Sequence, residues 1–398
     1  MFLKNISINN FKSIQKATVG FERGLNIVIG KNGAGKSNLL EFIRQNVSYY
    51  EVRGLSKPVN GTNAEYQFTI DYEQDNSTEE LTIYLKRDRN FSEREMEYSN
   101  KIILSRISNG ETKFNETAII NYGDNPIGRS EGLNTILREM DVLRRFNITF
   151  VFFKIPENNW LEKPERYEIN RELFPFSDST HAMSIFSYFS NCIVNEFDLQ
   201  GLLQFDDIEL ETIRGLFSKA FVDFNEKYKI NYTLSKFSPI QEIRINHNVN
   251  IYKVDNKILV QNLLFDFKIN DTWMPWGYLS DGSKRLFYLI TQCLSLKDGL
   301  LLIEEPELGI HPHQLFSLMQ FLKEQSAEKQ IIISTHSPIV LDVLKPGELD
   351  RITIAKIEHN GSQFYKLTDE QKALAKKYMT DVAELSYYWL HSDLETHD

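Results

Sequence analysis

Cysteine is nearly missing from this sequence: Cys192 and Cys293 are the only two in 398 residues, and neither belongs to a CxxC pair. That argues against a disulfide framework and against a zinc site built on cysteine. Long apolar runs are missing as well. The longest, such as Ile148–Phe153 and Leu300–Ile303, fall far short of the roughly 20 residues that cross a bilayer. Met1–Asn10 alternates polar and apolar residues and lacks the continuous hydrophobic segment of a signal peptide. The expectation is a soluble chain in a reducing cytoplasm, with no membrane partner. Sustained heptads and fixed-period repeats are absent too, which excludes long coiled-coil arms. Positive charge is in deficit, with 45 Lys+Arg against 55 Asp+Glu and a net charge of −10. Such a balance argues against coating nucleic acid through overall charge, while leaving room for a local basic patch. What is present is an ordinary globular composition, 41% apolar and 25% charged, long enough for two or three domains and a sizeable core.

The patterning switches period along the chain. Leu25, Ile27 and Ile29 alternate with Asn26 and Val28 in a short strand that stops at Gly30, and Leu39, Leu40, Phe42 and Ile43 then recur at helical spacing. A strand, a glycine-rich loop and a helix make an α/β unit. Glu65–Tyr72 and Glu80–Lys86 read as extended strands around the polar turn Gln74–Ser77, an antiparallel meander. From about Asn134 to Lys229 the pattern is mostly helical, interrupted at Pro156, Pro164 and Pro175. Its clearest helix is Glu209–Tyr228, with Ile213, Leu216, Phe217, Ala220, Phe221 and Phe224 on one face. Val249–Val254 and Lys257–Val260 around Asp255-Asn256 predict a hairpin. Helices over Lys284–Leu296, Pro312–Glu324 and Asp369–Leu390 then alternate with buried strands at Leu300–Ile303 and Ile331–Ser334. That alternation predicts parallel strands with crossover helices.

Four segments carry chemistry. Gly30-Lys31-Asn32-Gly33-Ala34-Gly35-Lys36-Ser37 matches the phosphate-loop pattern in full, between strand and helix, with Asn38 just beyond. Glycines let backbone N–H groups close around phosphate oxygens, Lys36 reaches the β/γ-phosphates, and the Ser37 hydroxyl coordinates Mg²⁺. The strand Leu300–Ile303 ends in Glu304-Glu305, and carboxylates at the end of a buried strand are costly unless they meet a cation. Glu304 is expected to hold the metal and Glu305 to orient or deprotonate the attacking water. Ser280-Asp281-Gly282-Ser283 opens a helix 24 residues before Glu304; alone it reads as a good N-cap. His336, 31 residues after Glu305 in Ser334-Thr335-His336-Ser337-Pro338, ends another buried strand, where a histidine can sense a γ-phosphate.

Together these residues resemble the ABC-type ATPase heads of the SMC/RecF-like superfamily. More narrowly, Ile303-Glu304-Glu305-Pro306-Glu307-Leu308-Gly309-Ile310-His311-Pro312 and the Ser334–Pro338 segment look like the ATPase domain of the OLD (overcoming lysogenization defect) family found in bacterial anti-phage systems. The opening Ile8-Asn9-Asn10-Phe11-Lys12-Ser13-Ile14 is similar to the first strand of these heads. The resemblance covers about residues 1–50 and 270–345. It implies an α/β ABC-ATPase head, a mixed sheet with crossover helices plus an antiparallel β lobe, carrying a largely helical insertion. The expected divisions are 1–125, 126–242 and 243–398. It also implies that Lys36, Glu305 and His336 are catalytic, that Ser280 and Gly282 belong to a signature motif facing nucleotide on another subunit, and that Glu307–Ile310 is a D-loop contacting that subunit. ATP and Mg²⁺ are the implied cofactors and an ATP-sandwiched homodimer or higher oligomer the implied assembly. Gln67 and Gln74 are candidates for the Q-loop glutamine. His311 fits the family's Gly-x-His-Pro turn better than a metal site with His313.

Two departures sharpen the functional expectation. SMC-type arms do not fit the central segment, and the 62 residues after His336 are too few for the nuclease domain of OLD nucleases. The leading expectation is therefore an ATP-hydrolysing dimeric switch that holds a separate effector, a nuclease or toxin, in phage defence. The alternative is a RecF-like DNA-binding repair ATPase, using Arg138, Arg144, Arg145, Lys163, Arg166 and Arg171 or Lys372, Lys376 and Lys377. A transporter subunit is disfavoured by the long insertion.

Overall fold

The computed structural model describes residues 1–47, 64–74, 77–91, 96–122, 136, 138–139, 148–151, 167–169, 210–247, 250–254, 257–261, 265–296 and 299–392. By its contacts the chain forms two compact units, one of Met1–Phe153, Leu296–Glu307 and Leu322–Asp398, the other of Lys154–Ser295 and Leu308–Phe321. This grouping is spatial and differs in kind from the sequence division 1–125, 126–242 and 243–398.

The first unit is built on one twelve-stranded sheet. Its strands are β1 (Phe2–Phe11), β2 (Ile14–Gly20), β3 (Leu25–Ile29), β4 (Ala64–Gln74), β5 (Ser77–Phe91), β6 (Met96–Ser108), β7 (Glu111–Tyr122), β8 (Ile148–Val151), β15 (Leu300–Glu304), β16 (Gln330–Thr335), β17 (Ile352–Glu358) and β18 (Gly361–Tyr365), in the order 7-6-5-4-1-2-18-17-3-16-15-8. The register of burial explains the division within it. β3 and β16 are buried at every position and β15 at all but Glu304, as expected of parallel strands covered on both faces. β1 instead alternates, with Leu3, Ile6 and Ile8 inward, and pairs antiparallel with β2 and β4. Helix α1 (Lys36–Asn46) buries Leu39, Leu40, Phe42 and Ile43, and Phe42 meets Phe11 edge-on at 4.9 Å. Each fully buried aliphatic or aromatic side chain of this core contributes roughly 1.5–3 kcal/mol.

Most predicted elements are found within a residue or two, and the meander grows into four long strands. Two readings change. Ile148–Val151, within the stretch read as mostly helical, is an edge strand parallel to β15, with Leu300 opposite Ile148. A run of β-branched and aromatic residues (Ile-Thr-Phe-Val) suits a buried parallel strand as well as a helix. The single helix expected over Asp369–Leu390 is two, α6 (Asp369–Asp381) and α7 (Leu385–His391). The break frees the first turn of α7 to be held by Asp342, whose two carboxylate oxygens accept from Ser386 N and Ser386 Oγ, both at 2.7 Å. Tyr167–Ile169, in the same stretch, is likewise a strand, whereas residues 136, 138 and 139 are helical; the remainder between Asn134 and Glu209, the interruptions at Pro156, Pro164 and Pro175, Cys192 and the turn residues Asp255-Asn256 lie outside the described residues.

The second unit carries α2 (Leu210–Tyr228), α3 (Ile230–Phe237) and α4 (Asp281–Ser295), with two three-stranded sheets. One joins β10 (Glu242–Ile245), β13 (Phe265–Ile269) and β14 (Thr272–Pro275); the other joins β9 (Tyr167–Ile169), β11 (Asn250–Val254) and β12 (Lys257–Gln261). The expected hairpin is β11–β12, with Val254 opposite Lys257. Phe267, Trp276 and Phe287 pack mutually, with ring centroids 5.1–5.7 Å apart, and fix α4 on β13. Among the described residues, no helix is long and apolar enough to cross a membrane.

Candidate functional site

Three loops leave the C-terminal ends of three neighbouring parallel strands. In the register, Ile29 of β3 lies beside Thr335 of β16, and Ser334 lies beside Glu304 of β15. The phosphate loop at residues 30–37, the carboxylates Glu304-Glu305 and the histidine His336 therefore emerge side by side, where open α/β sheets place their ligands.

The phosphate loop is shaped for an anion. Gly35 sits at φ +93°, and a Cβ there would lie 2.2 Å from Ser362 Oγ, so both conformation and space require glycine. Gly35 is also the N-cap of α1 and, as glycine, offers no side chain to the first-turn N–H groups, the groups with which helix N-termini in general bind anions. Lys36 is 4% exposed, and its ammonium donates to the carbonyls of Gly30 (2.7 Å) and Lys31 (3.0 Å). A lysine folded into its own loop is positioned to meet phosphate oxygens without a search over rotamers. Lys31, Asn32, Gly33 and Ser37 are exposed, whereas Ala34 is buried. Asn38 anchors the helix, donating to Ser13 Oγ (2.7 Å), which pairs with Ser362 Oγ (2.7 Å).

Across the strand ends the arrangement is tighter. Glu305 has φ +44°, a left-handed conformation that costs a non-glycine residue energy and is found where surroundings impose it. Its N–H donates to Ser334 O (2.8 Å). His336 Nδ1 lies 3.4 Å from Glu305 Oε1 and 3.3 Å from Glu307 Oε1. Glu304 and Ser37 offer the hard oxygen donors that Mg²⁺ prefers, and such an ion usually takes only one or two protein ligands beside water and phosphate. Among the described residues, no group of three or more His, Cys, Asp or Glu side chains is placed to hold a metal ion by itself.

The signature segment lies in the second unit. Ser280 Oγ accepts from Ser283 N (3.2 Å) and pairs with Ser283 Oγ (2.9 Å), an N-cap on α4. Gly282 is there because backbone comes close: a Cβ would stand 2.8 Å from Gly309 O. His311 and His313 stack 5.5 Å apart, and the His313 N–H points at His311 Nδ1 (3.4 Å), at the start of α5 (Pro312–Gln325). Gln67 lies mid-strand in β4, opposite Ser7 and Tyr84. Of the basic residues, Arg144, Arg145, Lys163, Arg166 and Arg171 lie outside the described residues. Lys372 is engaged by Asp350 (2.6 Å) and Asp369 (3.2 Å), while Arg138, Lys376 and Lys377 are exposed.

Sequence reasoning gave the Glu307 side chain no role of its own. Assigned by resemblance to a segment facing another subunit, its side chain is only 9% exposed and turns toward Thr335 and His336. The available signal was a third carboxylate just past Pro306.

A family model described as "AAA domain, putative AbiEii toxin, Type IV TA system" matches residues 25–342. Endonuclease GajA of Bacillus cereus (strain VD045) is 23% identical over 405 residues, covering 95% of this chain and 62% of that protein. The chain thus spans less than two thirds of that relative's length. The Retron Vc95 probable ATPase of Vibrio cholerae serotype O1 biovar El Tor is 24% identical, covering 87% and 72%. A DNA replication and repair protein RecF, from Renibacterium salmoninarum, is 49% identical over 41 residues, 10% of each chain. The SmcHead structure solved with the C-winged helix domain of ScpA shares the fold, with a TM-score of 0.50 at 13% identity over 94% of this chain and 99% of that one. On the matched model the chain belongs to the AAA_21 family and is an ATPase, and it shares the fold of the SMC head.

Proposed function

We propose that the chain binds Mg²⁺-ATP on the loop at residues 30–37, hydrolyses it between subunits, and works as a nucleotide-controlled switch for a separate effector in bacterial anti-phage defence. One observation carries the chemistry: neighbouring strand ends deliver a buried Lys36, a constrained Glu305 and His336 to one rim. In this reading Lys36 and the N–H groups of residues 33–38 hold the phosphates, while Glu305 takes the proton of the attacking water. His336 senses the γ-phosphate. Ser37 and Glu304 are the residues that would hold Mg²⁺, which would supply charge neutralisation at the phosphates. Ser280 and Gly282 serve nucleotide held by a second copy, which makes the active form a head-to-tail homodimer or higher oligomer. Residues 126–242 are then an insertion into a head split between 1–125 and 243–398.

The defence role rests on the likeness to GajA and to the retron ATPase, and it assigns cleavage or toxicity to the effector, a nuclease or toxin. The test begins with ATP. Lys36→Ala lowers ATP affinity by about two orders of magnitude, the worth of one or two charge-assisted hydrogen bonds. Glu305→Gln leaves binding intact and slows turnover by about 10²–10³-fold, trapping the ATP-bound dimer in size-exclusion chromatography. Undiminished affinity or turnover in these variants would remove the respective assignment. The effector is sought by co-purification with products of adjacent genes. A chain that binds none of them but hydrolyses ATP faster on duplex DNA, with steep salt dependence, is instead a DNA-acting ATPase.

A further inference from the structure

Glu307 brackets the histidine loop in a way that stability does not explain. Its Oε1 accepts from Thr335 Oγ1 (2.6 Å) and from the N–H of His336 (3.1 Å). Thr335 Oγ1 in turn accepts from the N–H of Ser337 (2.9 Å). One carboxylate therefore fixes the backbone on both sides of His336, directly at residue 336 and through the threonine hydroxyl at residue 337. The same oxygen stands 3.3 Å from His336 Nδ1, and Glu305 Oε1 stands 3.4 Å from that nitrogen.

The second oxygen shows what this arrangement costs. Glu307 Oε2 is buried and has no hydrogen-bond partner among the described residues. A buried carboxylate with unmet capacity is destabilising relative to an apolar residue of the same volume. Packing alone would select leucine or methionine here. Charge-assisted bonds to a backbone N–H and a hydroxyl are short and directional, which is what holding a loop in one geometry demands. Pro306, with its fixed φ, and Glu305, whose N–H is tied to Ser334 O, set the direction from which Glu307 reaches the loop.

We propose, building on the ATPase reading above, that Glu307 is a positioning residue for hydrolysis: it holds the loop at residues 335–337 so that His336 stays beside Glu305. It touches neither nucleotide nor metal in this role and acts through His336. A glutamine keeps an acceptor oxygen for both donors, whereas alanine keeps none.

The experiment uses the full chain and the variants Glu307→Ala and Glu307→Gln. In Glu307→Ala, equilibrium binding of a fluorescent ATP analogue stays within about twofold while kcat falls about tenfold, equivalent to about 1.4 kcal/mol of barrier. In Glu307→Gln, kcat returns to within about threefold of wild type. Amide hydrogen exchange without nucleotide is read in parallel, and Glu307→Ala speeds exchange at His336 and Ser337 while Glu307→Gln does not. Wild-type kcat per folded molecule in Glu307→Ala overturns the proposal, as does unchanged exchange at both amides. If the unmutated chain binds no ATP, the ATPase reading fails, and the exchange data alone decide whether Glu307 positions the loop.

Discussion

Buried polar side chains crowd both ends of β3, β15 and β16, yet the two ends treat them differently. At the N-terminal ends they close on backbone. Asn26 donates to Glu22 O and Gly24 O and accepts from Glu22 N. Gln330 exchanges bonds with both the N–H and the carbonyl of Leu3 (2.7 and 2.9 Å) and reaches Glu22 O (3.2 Å). Lys329 donates to Leu296 O, and Arg351 to Arg23 O. At the C-terminal ends, capacity is left over: α1 has no side-chain cap, and Ser334 Oγ and Glu307 Oε2 are buried with no hydrogen-bond partner among the described residues. Buried polarity by itself marks architecture as readily as chemistry. For the groups at these strand ends, hydrogen-bonding capacity left unspent, more than burial, separates the two.

The comparison breaks most visibly at Gln330. Its amide bridges β1 to the head of β16 at 2% exposure, and Gln330→Ala strands the Leu3 N–H and carbonyl. The expected loss is about 2–4 kcal/mol of unfolding free energy, read from urea denaturation, with ATP affinity of the folded protein unchanged. A variant that kept its stability but lost ATP binding would put chemistry at the wrong end of the strands.

The sequence made one end far more legible than the other. The phosphate loop, Glu304-Glu305 and His336 announce themselves because each is a residue type that packing would not choose at the end of an apolar strand. Gln330 and Asn26 give no such sign, since their partners are carbonyls and amides supplied by strands distant in sequence, and backbone acceptors have no letter. Glu307 fell between these cases. It sits in a recognisable segment, but its partner Thr335 lies 28 residues away, brought near only when β15 and β16 pair. The fold shows the same limit: strands with strict alternation or continuous burial were readable, while β8 looked helical because four residues carry too little period to decide.

A smaller effect is expected at Lys366, also on the N-terminal side, whose ammonium donates to Asp350 O (2.8 Å). Burial lowers its pKa from the usual 10.5 to about 8, against the opposing pull of Glu22 and Asp350. Because the folded value lies below the unfolded one, the unfolded chain binds the extra proton between about pH 8 and 10.5. Wild-type stability therefore gains relative to Lys366→Met as pH rises through that window. Below pH 8 the burial cost is fully present, and the methionine variant is at least as stable. Thermal midpoints of both proteins from pH 7 to 10 check the sign; parallel curves would mean that Lys366 is not desolvated.

The smallest change probes the idea of unspent capacity itself. Ser334 is fully buried, its hydroxyl has no hydrogen-bond partner among the described residues, and its neighbours in the register are Glu304 on β15 and Val28 on β3. Its carbonyl holds Glu305 N, but that bond is backbone and survives substitution. Removing an unsatisfied hydroxyl leaves no orphan behind, so Ser334→Ala is expected to change unfolding free energy by no more than about 0.5 kcal/mol. Were the hydroxyl architectural, as at Gln330, the loss would exceed about 1 kcal/mol and the contrast between the two ends would fail. Turnover supplies the complementary reading. On the ATPase reading proposed above, a hydroxyl on the residue that neighbours Glu304 in the register gains a partner when water and nucleotide enter, and the expected kcat of Ser334→Ala is a few-fold lower at constant stability. An alanine variant equal to wild type in both measurements would show that unsatisfied groups at this rim are tolerated without being used.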